Sequence, residues 1–231
     1  MKSPPAPRRE LDEVVVNIEL TLASIVQGVA LTFLAESAGE IVSHGPVTAW
    51  PYVGVSFLMI LLFWARAAIH TLTLIRWPLE FVHNFFYFGC ALIEVLAFRQ
   101  IQNPFMWFLL NTIFAALVWA LFVHDLHIIR LRMKDSVGDS SFRLYAIVLA
   151  DQWANIRFVV PAVFFYSLGS AIAIKLAPEF FVTRHGHLIL VGLQLVGLLI
   201  NLGYVIRSFG RITPLISAAR AEWRDDLEEG I

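Results

Sequence analysis

The sequence predicts an all-α polytopic membrane protein with six transmembrane helices and both termini in the cytoplasm. Three observations carry this prediction: the composition, the length of the apolar runs, and the distribution of Lys and Arg. Of the 231 residues, 58% are hydrophobic and only 15% are charged, whereas a soluble domain carries about a quarter charged residues. A single domain of membrane helices is therefore expected, because so few charges do not cover a water-facing surface.

Six apolar runs have roughly the 20-residue length that crosses a hydrocarbon core. They cover residues 16–38, 52–74, 79–98, 105–125, 157–176 and 187–206. Prolines lie at most of the boundaries, as expected from their tolerance at a first helical turn. Pro161 is the exception, and it predicts a kink or a displaced start in the fifth span. Residues 142–156 are expected either to lie along the membrane surface as an amphipathic helix or to extend the fifth helix.

The positive charges predict the orientation, because Lys and Arg accumulate on the cytoplasmic side. Twelve of them fall on one side, which we call the inner side: Lys2, Arg8, Arg9, Arg76, Arg130, Arg132, Lys134, Arg143, Arg207, Arg211, Arg220 and Arg224. The outer side has only Arg99, Lys175 and Arg184. The chain is accordingly divided into a cytoplasmic tail (1–13), a six-helix transmembrane domain (14–209) and a cytoplasmic amphipathic C-terminal helix (210–231).

Composition and motifs also exclude some classes of function or leave them without support. The net charge of −1 and the absence of a polybasic patch give no sign of a nucleic-acid partner. The single cysteine, Cys90, excludes an intrachain disulfide. No phosphate-binding glycine loop, nucleophile elbow or catalytic carboxylate pair is present, so enzymatic chemistry has little support and no cofactor is expected.

The first span carries a stripe of small or polar residues at helical spacing. It consists of Asn17, Thr21, Ser24, Gly28, Thr32, Ala35 and Gly39, and Gln27 flanks it. Small residues on one face let helices approach closely in lipid, so tight packing is one interpretation. The other is a water-filled path, in which Ser24, Gln27, Gly28 and Thr32 line a pore.

The second and third spans predict a polar cluster inside the membrane. Its members are Arg66, His70, Asn84, Tyr87 and Glu94. A lone carboxylate in lipid is costly, so Glu94 and its helical face should look into the bundle. The cluster is interpreted as an interhelical contact that fixes packing, or as a proton-sensing or proton-relay pair.

Seven ionisable residues fall on the inner side near the ends of the spans: His70, Glu80, His83, His124, Asp125, His127 and Asp151. His124 and His127 share one helical side, as a metal-binding pair requires. His83, His124, Asp125, His127 and Asp151 are thus candidates for a metal or proton site. Interfacial anchoring, in which the polar ends simply reach water, is the third interpretation.

The second and third spans also resemble a known family. Trp50-Pro51-Tyr52, Ser56-Phe57, Phe63-Trp64 and Asn84 are similar to the lysosomal and bacterial leak-type potassium channels. The first span of that family carries Phe-Ser-Asp, where this chain has Val26-Gln27-Gly28-Val29-Ala30-Leu31. The resemblance implies six spans, both termini inside, and a tetramer with the first span around the pore.

Three function hypotheses follow from these patterns. The leading one is passive permeation of a small cation, such as potassium, through a homo-oligomer with the first span lining the path. The alternatives are a non-catalytic membrane scaffold or accessory subunit, and a small proton- or metal-coupled carrier. Short loops and low cysteine use fit a multi-pass protein of a bacterial inner membrane, with the lipid bilayer as its first partner.

Overall fold

In the part of the chain that it describes, the computed structural model consists of helices joined by short turns. It describes the backbone of residues 6–74, 81–134 and 139–228, and the side chains of 14–73, 81–134 and 140–219. Six helical segments in these ranges are long and apolar enough to cross a membrane: Val14–His44, Val47–Thr73, Phe81–Phe98, Pro104–Lys134, Ser140–Leu176 and His187–Ala219. The predicted fold class is therefore confirmed. The location of both termini in the cytoplasm stays a prediction.

Seven α-helices build these spans. They are α1 (Ala6–His44), α2 (Trp50–Leu74), α3 (Phe81–Phe98), α4 (Pro104–Lys134), α5 (Asp139–Ala154), α6 (Val160–Leu176) and α7 (His187–Glu228). A short 3₁₀ turn, Val47–Ala49, leads into α2, and a π-helical turn, Glu179–Thr183, lies between α6 and α7.

The fifth span is one long helix. A π-helical segment, Asn155–Val159, joins α5 to α6 without a break. Pro161 is the second residue of α6, and since it has no N–H it donates no hydrogen bond to the preceding turn. A π-helical turn is where a helix absorbs such a local mismatch. Of the two alternatives for residues 142–156, the structure has the extended helix and not a separate surface helix.

The predicted C-terminal helix is the continuation of the sixth span. Helix α7 runs from His187 to Glu228 and passes through Pro214. The predicted boundary at residue 210 is therefore not a helix boundary.

Helix α2 is the centre of the bundle. Its backbone packs against α1 and α7, while α4 packs against α3, α5 and α6. Its side chains also reach the remaining spans, through a stacked ring pair of Phe63 with Tyr87 on α3 and an ion pair of Arg66 with Asp151 on α5. The other faces expose large apolar side chains such as Phe85, Leu92 and Ile200. Such a surface suits a lipid environment, in which apolar exposure has no hydrophobic cost.

Candidate functional site

Three helices meet at a buried carboxylate near the inner end of the bundle. Asp125 on α4 has no exposed surface. Its Oδ1 lies 2.8 Å from Nδ1 of His83 on α3, and its Oδ2 lies 2.9 Å from Nδ1 of His70 on α2. Because a carboxylate only accepts hydrogen bonds, His83 donates from Nδ1. The His70 contact is close but poorly aligned for a hydrogen bond. We call these three residues the His–Asp–His cluster.

A second network begins one helical turn away on α2. Nη1 of Arg66 lies 2.5 Å from Oδ2 of Asp151, and Nη2 donates to Oδ1 of Asn155 at 3.1 Å. Tyr204 on α7 donates its hydroxyl to Asp151, and its ring lies 5.7 Å from the Arg66 guanidinium. We call these four residues the Arg–Asp network. It supplies both a countercharge and hydrogen bonds to a carboxylate at membrane depth, as such a group requires.

The seven inner ionisable residues are only partly brought together. His70, His83 and Asp125 touch, and Asp151 joins the Arg–Asp network. His124 is half-buried, whereas His127 is exposed in a shallow cleft with Arg130, Lys134 and Phe142. Glu80 lies outside the described residues. Among the side chains described, no three His, Cys, Asp or Glu residues are placed to hold a metal ion.

The structure gives the members of the predicted intramembrane cluster partners on several helices. Arg66 and His70 lie against the aspartates of the two networks above. Nδ2 of Asn84 donates to Oε1 of Glu19 on α1 at 2.6 Å. The Tyr87 hydroxyl donates to the backbone oxygen of Ala23, also on α1, at 3.4 Å.

Glu94 faces the interior, as its helical position predicts. It has no exposed surface, and neither carboxyl oxygen has a hydrogen-bond partner. Gln27 on α1 is its polar neighbour across the α1–α3 interface. Gln27 is also buried, and neither its amide oxygen nor its amide nitrogen has a partner.

The stripe on α1 faces away from the bundle. All seven of its residues are exposed: Asn17, Thr21, Ser24, Gly28, Thr32, Ala35 and Gly39. Around Gly28 and Gly39 an added Cβ would meet no other atom within 4 Å. The structure thus separates the four pore-lining candidates, with Ser24, Gly28 and Thr32 on the outward face and Gln27 inside.

The sequence did not identify the partners of several polar side chains. In the inner half, Glu19 is the partner of Asn84, and Tyr204 is a partner of Asp151. Glu19 interrupts an apolar span, and that signal alone marks it as an interior residue. In the outer half, Gln194 accepts a hydrogen bond from Trp107 Nε1 at 3.1 Å and donates to Asn111 at 3.2 Å.

A third outer contact was equally unexpected. The Tyr52 hydroxyl lies 2.9 Å from Nδ1 of His187. The Tyr52 ring packs edge-on against Trp107, with ring centroids 5.3 Å apart. Such aromatic partners have no spacing rule in the sequence, since they come from helices that are far apart along the chain.

Comparison with known proteins adds no relative. No protein-family model, no curated protein and no solved structure matches the chain. The composition, the six apolar helices and their lipid-facing surface make it a polytopic membrane protein with six candidate spans.

Proposed function

We propose that the protein forms a homo-oligomer that conducts a small cation along a path lined by the outward face of α1. The observation that carries this proposal is the exposure of the whole small and polar stripe, from Asn17 to Gly39, on a single subunit. The stripe covers the length of a span, since 22 steps at about 1.5 Å per residue reach about 33 Å.

Lipid is a poor partner for such a face. Glycine and alanine offer it little contact area, and Asn17 would present a polar group to hydrocarbon. Ser24 is partly satisfied, because its hydroxyl oxygen accepts from Trp64 Nε1 at 3.5 Å. The threonine hydroxyls are partly satisfied within the helix, because Thr21 donates to Asn17 O at 2.7 Å and Thr32 to Gly28 O at 3.0 Å. Each hydroxyl oxygen can still accept another hydrogen bond, from water or from a neighbouring subunit.

The resemblance in the second and third spans supports the same arrangement. In the leak-type potassium channels the first span surrounds the pore of a tetramer. Copies of α1 around a central axis would place Ser24, Gly28 and Thr32 along the path. Gln27 is left out of this lining because it packs toward α3.

The test is a potassium flux assay in liposomes that contain the purified protein. Wild-type protein should conduct, and Ser24→Leu combined with Thr32→Leu should abolish most of the flux by filling the path. The matched control is Leu193→Phe with Ile200→Phe, on an exposed face of α7, which should leave the flux unchanged. Absence of wild-type flux across a range of pH would instead favour the scaffold function.

A proton-coupled carrier is the second candidate, and the His–Asp–His cluster favours it. Two imidazole rings lie within hydrogen-bonding distance of one buried carboxylate, and histidine and aspartate are the side chains from which proton relays in membrane carriers are built. Such a carrier should show saturable, proton-driven uptake that is lost in His70→Gln and His83→Gln. His127→Gln is the control, because His127 is exposed and outside the cluster.

A further inference from the structure

Glu94 and Gln27 form a polar layer that is closed off on both sides by apolar packing. On one side lie Ala30, Ala97 and Phe98, which belong to the outer hydrophobic core. On the other side lie Ala23 and Cys90, together with the Phe63–Tyr87 stack. The carboxyl group is thus shielded from water in the direction of both membrane surfaces.

Among the side chains that the structure describes, none forms a hydrogen bond with the Glu94 carboxyl group, and no cation lies near it in the sequence of the surrounding spans. Neither Lys, Arg nor His occurs in residues 20–43 of α1, 50–65 of α2, 84–98 of α3 or 104–123 of α4. The titratable groups near Glu94 are Tyr87 and Cys90 on its own helix. Arg99, five residues further on, is exposed, with its guanidinium over the Phe33 ring. An ionised carboxylate removed from water without a cation is far more costly than the neutral acid.

The unpartnered polar atoms of Glu94 and Gln27 fit the protonated form of the Glu94 carboxyl group. Four buried polar atoms face no hydrogen-bond partner: both carboxyl oxygens of Glu94, and the amide oxygen and nitrogen of Gln27. The amide nitrogen can donate to a carboxyl oxygen in either protonation state. The amide oxygen needs a donor, which the protonated carboxyl group supplies, since the neighbouring Tyr87 hydroxyl donates to the backbone oxygen of Ala23. A small side-chain rotation would then pair the amide and the acid through two hydrogen bonds.

We infer that Glu94 is an occluded proton-binding site, with Gln27 as the residue that holds the protonated carboxyl group. One proton from water adds to the carboxylate, and its charge changes from −1 to 0. Exchange with water takes place when α1 moves away from α3. The site lies within one subunit and requires neither an oligomer nor a pore, so it stands independently of the proposed channel.

Infrared spectroscopy of the full-length protein in phosphatidylcholine liposomes tests the inference. A protonated carboxyl group has a C=O stretch above the amide I band, and we expect this band at neutral pH. It should be lost in Glu94→Gln and kept in Glu36→Gln, whose side chain is exposed on α1. Gln27→Leu should move the band to higher frequency, because the carbonyl loses its hydrogen bond. Transfer to D₂O should move it to lower frequency as the proton exchanges.

Three results would overturn the inference. They are a band that survives Glu94→Gln, a band that does not move in D₂O, and a band that disappears on adding Na⁺ or K⁺ at constant pH. The last result would show that the Glu94 site binds a metal cation instead of a proton. Thermal melting checks the fold of the variant: Glu94→Gln should melt at or above the wild-type temperature, because the amide imitates the neutral acid. A large drop in melting temperature would show an ionised, paired Glu94 and would also overturn the inference.

Discussion

Oδ1 of Asp125 on α4 accepts a hydrogen bond from Nδ1 of His83 on α3 over 2.8 Å, at a carboxyl group with no exposed surface. This contact fixes the ring orientation of His83. With His70 on the other oxygen, it ties α2, α3 and α4 together near their inner ends. A single aspartate therefore joins three helices in a part of the bundle where water cannot replace its contacts.

Replacing this aspartate should destabilise the bundle. In Asp125→Asn the charge is lost and one side-chain oxygen becomes an NH₂ group, which cannot accept from either imidazole. We expect a loss of about 2 kcal/mol in the free energy of unfolding, the scale for breaking hydrogen bonds to a buried charged group. Thermal unfolding in detergent measures it. The control Glu179→Gln removes an exposed ion pair with Arg184 and should leave the melting temperature unchanged. Equal stability of Asp125→Asn and wild type would contradict the structural role.

The Arg–Asp network should behave as a coupled pair. Arg66→Met and Asp151→Leu should each cost about 3 kcal/mol, since either change leaves one charge uncompensated inside the bundle. The loss of stability in the double variant should be smaller than the sum of the two single losses, because no lone charge is left. A double-mutant cycle of thermal stabilities gives the coupling energy. Additive single effects would show that Arg66 and Asp151 do not interact.

The outer half is held by Gln194 between Trp107 and Asn111. Gln194→Leu removes both hydrogen bonds and leaves the indole N–H and the Asn111 oxygen unpaired. A destabilisation of about 1–3 kcal/mol is expected from such unsatisfied groups. Gln102→Leu is the same substitution at an exposed position between α3 and α4, and it should leave the melting temperature unchanged. If both variants melt alike, the Gln194 contacts do not stabilise the bundle.

The α1 stripe should lie at a contact between subunits. In a Cys90→Ala background, Ser24→Cys and Thr32→Cys should give disulfide-linked oligomers after mild oxidation in membranes. Ile200→Cys lies on an exposed face of α7 and should stay monomeric on gels. Cross-linking that is equally strong at residue 200 would indicate random collision rather than an α1 interface.

The orientation can be measured with single cysteines in the same background. Val47→Cys lies in the predicted outer loop and is exposed, so a membrane-impermeant maleimide should label it in intact cells. Leu131→Cys, near the inner end of α4, should react only after the membrane is opened. The reverse pattern would place both termini outside and contradict the prediction from the positive charges.

Much of the fold could be predicted from the sequence because membrane spanning is a local property. Twenty apolar residues in a row must form a helix in lipid, whatever their neighbours are. Helix ends were less predictable: the helices of the fifth and sixth spans continue well beyond their apolar runs, from Asp139 in the fifth and as far as Glu228 in the sixth. Apolarity marks the part of a helix in hydrocarbon, whereas the helix itself ends where its backbone hydrogen bonds end.

Partners were not predictable in the same way. From the sequence we could predict that Glu94 and its helical face look into the bundle, because a lone carboxylate in lipid is costly; for His70, Asp125 and Asp151, anchoring at the membrane surface was an equally open interpretation. The pairings appear only in the folded bundle, where Arg66 pairs with Asp151, His70 and His83 share Asp125, and Glu94 has Gln27 as its polar neighbour. The physical reason is that depth in the membrane depends on position along one helix, whereas a contact depends on the rotation and tilt of two helices, which the packing of the whole bundle sets.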